Sequence, residues 1–138
     1  MKTGKLISIV SLLVILDQLT KYLFQNKIYM LDGIGIEYTT NTGAAFGILK
    51  GSNIILAIVS LLAIAFIFYY YRKAKNYERI GLILLLSGTI GNLLDRIIFG
   101  YVRDFIVIYW WPNFNIADAY NVLGILIILF IELKHKKP

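Results

Sequence analysis

Residues 51–71 read GSNIILAIVSLLAIAFIFYYY, a run of 21 without one charged side chain. At about 1.5 Å per residue, a helix of that length covers a hydrocarbon core of about 30 Å, so the run predicts a membrane-crossing helix. Three further apolar runs lie around it, at about 6–24, 80–99 and 116–133. Composition agrees: of 138 residues 59% are hydrophobic and 16% charged, with a mean hydropathy of +0.72. A soluble domain of this size has no use for so much apolar surface. The expected fold class is an all-α membrane protein, one domain over 1–138, with four transmembrane helices and outer segments at 25–50 and 100–115. Lys2 and Lys5 ahead of the first run raise a signal peptide as a rival reading. No small-residue cleavage site follows, however, and the run continues straight into DQLTK at 17–21.

The formal net charge is +6, but the basic residues cluster at the ends of the apolar runs rather than on one basic face, so a nucleic-acid partner is not expected. They also give a direction. Lys2 and Lys5, then Arg72, Lys73, Lys75 and Arg79, then Lys134, Lys136 and Lys137 fall on one side of a four-span chain. That side is the cytoplasm by the positive-inside rule, which puts both termini there. With no cysteine, and His135 in the tail as the only histidine, thiolate or histidine metal sites and a Ser-His-Asp triad have no residues to use. No metal or cofactor is expected. Within the outer segments, residues 28–40 predict a small hairpin around Asp32-Gly33. VRDFIVIYWW, 102–111, is rich in β-branched and aromatic residues, and Trp110 and Trp111 suit a membrane interface.

Acids are expensive in such a chain, yet four of its eight converge on one depth. Asp17 follows 11 uncharged residues, about 17 Å of helix, and so lies past the midplane toward the outside. Asp95 lies late in the third run, Asp104 in the outer segment, and Asp118 opens the fourth run from that same side. Asp17 and Lys21 are four apart and can pair on one helical face. Gly88, Gly91, Asn92, Asp95 and Arg96 share a stripe whose glycines permit close helix approach. Asp95 is expected to bridge to its neighbour Arg96. Asn115, Asp118 and Asn121 follow at steps of three, with Asn115 able to cap the fourth helix and Asp118 to sit in its first turn. Asp104 resists a structural explanation, because its neighbour Arg103 would point to the opposite face of a strand. Two carboxylates close together in a poorly hydrated site cannot both ionise easily; one keeps a proton. That supplies a base for water and an acid for a leaving group. The residues alone point to an aspartyl hydrolase at the outer membrane face, without choosing among the four acids.

At these positions the sequence resembles the lipoprotein signal peptidase, or type II signal peptidase, family. DQLTK (17–21) is similar to the family's D-Q-x-[ST]-K, NTGAAFG (41–47) to N-x-G-A-A-F-[GS], and GNLLDR (91–96) to G-N-x-x-D-R. VRDFI (102–106) and FNIAD (114–118) are similar to the two motifs that each carry a catalytic aspartate. The resemblance implies a catalytic pair of Asp104 and Asp118, with Asp17, Lys21, Asn41, Gly43, Asn92, Asp95, Arg96 and Asn115 shaping or supporting the site. It implies an endopeptidase of the bacterial cytoplasmic membrane that removes signal peptides from diacylglyceryl-modified prolipoproteins, cutting before the lipidated cysteine near the outer leaflet. The partners it implies are that substrate, membrane lipids and the inhibitor globomycin, and a monomer is expected. It also implies an extracytoplasmic β-cradle formed by the outer hairpin; separately, the short Asp104–Asp118 connection leaves the 28–49 segment as the expected main movable cover. Ser87-Gly88 stands where the family often has Gly-Gly, and the 13 residues between Asp104 and Asp118 are fewer than in many members. The main alternative is a small transporter or proton relay using intramembrane Asp and Lys. Against it, the inner halves of runs one, two and four are almost uniformly apolar. A non-catalytic adaptor and a Ser-Lys hydrolase are further rivals, the latter lacking a serine near Lys21.

Overall fold

Every apolar run becomes a helix in the computed structural model, which describes residues 3–44 and 48–135. The helices are α1 (Thr3–Leu23), α2 (Asn53–Lys73), α3 (Asn76–Phe99) and α4 (Ile116–His135). All four are long and apolar enough to cross a membrane, and the chain is a multi-pass membrane protein. Side chains such as Ile54, Leu62, Phe66, Leu126 and Phe130 stay exposed around the bundle, as expected where lipid rather than water is the surrounding solvent. Ala45, Phe46 and Gly47 of the NTGAAFG motif lie outside the described residues, as do Lys2, Lys136 and Lys137.

Helix α3 is the most enclosed of the four and packs against each of the others. Small residues let the backbones meet. A Cβ on Gly81 would stand 2.8 Å from the Gly124 carbonyl oxygen, and one on Gly88 would stand 2.3 Å from that of Ala117. At the other end of the bundle from the sheet, Leu6, Val10, Ile67, Tyr71, Leu82 and Leu86 form an apolar core. Helix α3 stops at Gly100, whose φ of +79° is left-handed and whose N–H caps the Arg96 carbonyl.

The segments between helices build one antiparallel sheet in the order β1 (Ile28–Leu31), β2 (Ile34–Asn41), β3 (Val102–Ile108) and β4 (Trp111–Phe114). Asp32 and Gly33 turn β1 into β2 with φ of +47° and +81°, as a tight hairpin turn demands. The sheet differs from two separate outer segments. β2 pairs along β3, with Thr39 opposite Asp104 and Asn41 opposite Val102, and the short segment after Asp104 folds back as β4. Within the 28–49 segment expected to act as a movable cover, β1 pairs with β2, and β2 in turn with β3.

Candidate active site

Strand alternation sorts the residues of β3. Val102 and Asp104 face a cavity of about 920 Å³, while Arg103 turns to α3 and Phe105 stacks on Phe24. Asp104 is 2% exposed. Helix α4 brings Asp118 to the same cavity from its first turn, and α3 brings Asn92 and Arg96. Asn115 caps α4 reciprocally with Asp118. The Asn115 N–H donates to Asp118 Oδ2 at 3.1 Å, and the Asp118 N–H donates to Asn115 Oδ1 at 3.0 Å.

The two carboxylates are joined by two amides. Asn115 Nδ2 donates to Asp104 Oδ1 at 2.7 Å and to Asn92 Oδ1 at 3.1 Å. Asn92 Nδ2 donates to Asp118 Oδ1 at 2.7 Å, and Asn41 Nδ2 donates to Asp104 Oδ2 at 3.1 Å. Burial, followed by the neighbouring Asp118 charge, pushes the Asp104 carboxyl up to about 7, against the opposing hydrogen bonds from Asn115 and Asn41.

Behind this pair lies a fully buried charge cluster. Lys21 Nζ stands 2.9 Å from Asp17 Oδ2 and 3.4 Å from Asp95 Oδ2, and donates to Asn92 Oδ1 at 3.0 Å. Asp17 Oδ1 accepts the Ala117 N–H at 3.0 Å and so ties α1 to the start of α4. A Cβ on Gly91 would stand 2.6 Å from Asp17 Oδ2, so the glycine makes room for this acid.

The expected Asp95–Arg96 bridge does not form. Successive helix residues point in different directions, and Asp95 pairs instead with Arg103 through Nη2 at 2.8 Å, Nε at 3.2 Å and the backbone N–H at 2.9 Å. Arg96 reaches over the cavity and donates to the Gly43 carbonyl at 3.2 Å. Gly43 is held in turn by its N–H to Asn41 Oδ1 at 2.9 Å. Sequence reasoning passed over Gln18 and Arg103. Gln18 Nε2 lies 3.1 Å from Asp17, from Asp95 and from the Gly91 carbonyl, and its Oε1 accepts from Arg103 at 2.7 Å. Both residues sat in motifs already marked, and the opposite-face position of Arg103 was the available signal. Trp110 is 86% exposed, as an interfacial anchor would be, but Trp111 lines the cavity. The ten sequence-nominated residues thus gather at one end of the bundle.

Comparison with known proteins agrees with this geometry. The model of the family described as Signal peptidase (SPase) II matches residues 9–134. A lipoprotein signal peptidase of Halothermothrix orenii is 36% identical over 138 residues, covering 93% of this chain and 95% of the relative. One from Clostridioides difficile is 40% identical over 145 residues, covering 94% and 98%. A bacterial membrane enzyme solved by the in meso method at 2.3 Å resolution superposes with a TM-score of 0.88 at 32% identity, covering 98% of this chain and 93% of that one. A second such structure, at 1.9 Å, gives 0.83 at 31% identity, covering 96% and 94%. The chain belongs to the signal peptidase II family of membrane proteases.

Proposed function

We propose that Asp104 and Asp118 are the catalytic pair with which this protease removes signal peptides from diacylglyceryl-modified prolipoproteins, cutting before the lipidated cysteine. The observation that carries the reading is the bridge of Asn115 and Asn92 between two carboxylates on the wall of one cavity. One carboxylate takes a proton from water as the water oxygen adds to the scissile carbonyl. The other, already protonated, gives its proton to the leaving amine as the C–N bond breaks. Asp104 is assigned the proton, because its raised pKa of about 7 keeps a substantial protonated fraction at neutral pH. Asp118, in the first turn of α4, is assigned the base. Asn41, Asn92 and Asn115 position the pair; Asp17, Lys21, Asp95, Gln18 and Arg103 support them from behind. Arg96 and Gly43 shape the rim.

In this reading Arg72 and Lys73 at the end of α2, Lys75 in the connection and Arg79 near the start of α3 mark the cytoplasmic side. Both termini lie there, and the sheet and the pair lie near the outer leaflet of the bacterial cytoplasmic membrane. The partners are the lipidated substrate and surrounding lipid, with globomycin an expected inhibitor and the monomer the working unit. The test is cleavage of a synthetic diacylglyceryl prolipoprotein by purified protein. Asp104→Asn and Asp118→Asn keep side-chain shape but cannot exchange a proton in this way, so each should lose at least about 10³-fold. Activity within about tenfold of wild type in either folded variant would refute the assignment.

A further inference from the structure

Asn121 lies on the cavity wall and none of the steps above uses it. It sits one turn beyond Asp118 along α4, about 4.5 Å farther from the sheet end, inside an apolar span. Its neighbours on that wall are Ala119, Val122 and Leu123. Gly88 makes room for it: a Cβ there would stand 2.5 Å from Asn121 Oδ1. The Thr89 hydroxyl stands 3.5 Å from the same oxygen, the limit of hydrogen-bonding range, and donates firmly at 2.7 Å to the Leu85 carbonyl. Among the described residues, nothing accepts from Asn121 Nδ2. A half-buried amide donor therefore stands on a cavity wall at hydrocarbon depth, where an unmet donor is costly.

The substrate would arrive with the complementary need. A signal peptide crosses the membrane as a helix, and to enter a protease site the chain must unwind before the scissile bond. The last four carbonyls of that helix then have no partner within it, and in lipid an unsatisfied carbonyl is costly. They point toward the outer end, and so toward the catalytic pair. The diacylglyceryl group brings ester carbonyls to a similar depth.

We propose that Asn121 is a substrate-binding residue whose Nδ2 donates to a substrate carbonyl oxygen one helical turn inward of the scissile bond. This rests on the assignment of Asp104 and Asp118, which fixes where the scissile bond lies. The test measures kcat and KM on a synthetic diacylglyceryl prolipoprotein with wild type, Asn121→Leu and Asn121→Ser. Leu lacks the donor and should lower kcat/KM about tenfold. Ser keeps a shorter donor and should recover part of that loss, which a merely structural role would not predict.

A matched substrate with ether-linked chains has no lipid carbonyl. If the Asn121→Leu loss persists on it, the acceptor is a peptide carbonyl; if the loss vanishes, the acceptor is the ester. The proposal falls if folded Asn121→Leu stays within about twofold of wild type on the ester substrate, or if Ser is as impaired as Leu at equal thermal stability. Failure of the catalytic assignment would register separately, as retained cleavage by Asp104→Asn or Asp118→Asn.

Discussion

Asp95→Asn should destabilise the protein far more than a single amide replacement would suggest. Asp95 is fully buried and accepts from Arg103 three times, from Gln18 at 3.1 Å, and faces Lys21 at 3.4 Å. In the cluster behind the site, the charges of Asp17 and Asp95 balance those of Lys21 and Arg103. The substitution leaves one buried positive charge uncompensated and turns one carboxylate oxygen into a donor facing other donors. Removing one partner of a buried pair costs about 3–5 kcal/mol. The assay is denaturant unfolding in a fixed detergent, with cleavage measured well below the transition. Asp95→Asn combined with Arg103→Met restores the charge balance, so the double variant should lose clearly less than the sum of the two singles. A loss below about 1 kcal/mol in Asp95→Asn, or strict additivity in the double variant, would refute the argument.

Asn41→Ala removes a donor that favours ionised Asp104, so the alkaline limb of cleavage, expected near pH 7, should move upward; an unchanged or lowered limb in a pH–rate profile would contradict this. The raised Asp104 pKa also links to stability: this contribution is fully present below the unfolded value of about 4 and is lost as pH rises through about 7. Asp104→Asn should therefore gain on wild type over that window, as read by unfolding midpoints at pH 5 and pH 8. Gly91→Ala would place a methyl against Asp17 and Ala117, which overpacking predicts to cost about 1–3 kcal/mol; thermal unfolding beside a cleavage assay checks it, and a neutral variant would mean α1 yields freely.

The helices were legible because hydropathy is additive along the chain, and lipid demands a long uncharged run whatever its partners are. The Asp32-Gly33 turn was legible because left-handed φ at two successive positions restricts the residue types. The pairing of β2 with β3 was not, since its partners lie some sixty residues apart and strand composition does not name a partner. The same limit explains Asp95. Adjacency in sequence suggested Arg96, but the partner lay eight residues on, across a helix end and a Gly100 cap that turns the chain back. Strand alternation had already placed Arg103 opposite Asp104; only the fold could say what stood there.

That exchange of partners changes the chemistry of the site. Had Arg96 been neutralised by Asp95, Arg103 would have been left over in the cluster, and no half-buried cation would have been free to face the cavity. With Arg103 taking Asp95, the cluster of Asp17, Asp95, Lys21 and Arg103 is neutral by itself. Arg96 is then the half-buried cation that shares the cavity wall with Asp104 and Asp118, beside exposed Lys50, while Lys21 in the cluster behind also favours the ionised form of Asp104. Two carboxylates and one guanidinium in a poorly hydrated site are neutral when the carboxylates share a single proton. The proposed mechanism begins from that state, with Asp104 holding the proton and Asp118 ready to accept one. Arg96→Gln should therefore bind an additional proton, leaving both carboxylates protonated at a pH where the wild type has one. Cleavage at neutral pH should fall and its acid limb should move upward, while stability changes little because Arg96 pairs with no carboxylate directly among the described residues. A pH–rate profile with an unmoved acid limb would show that Arg96 does not set the charge of the pair.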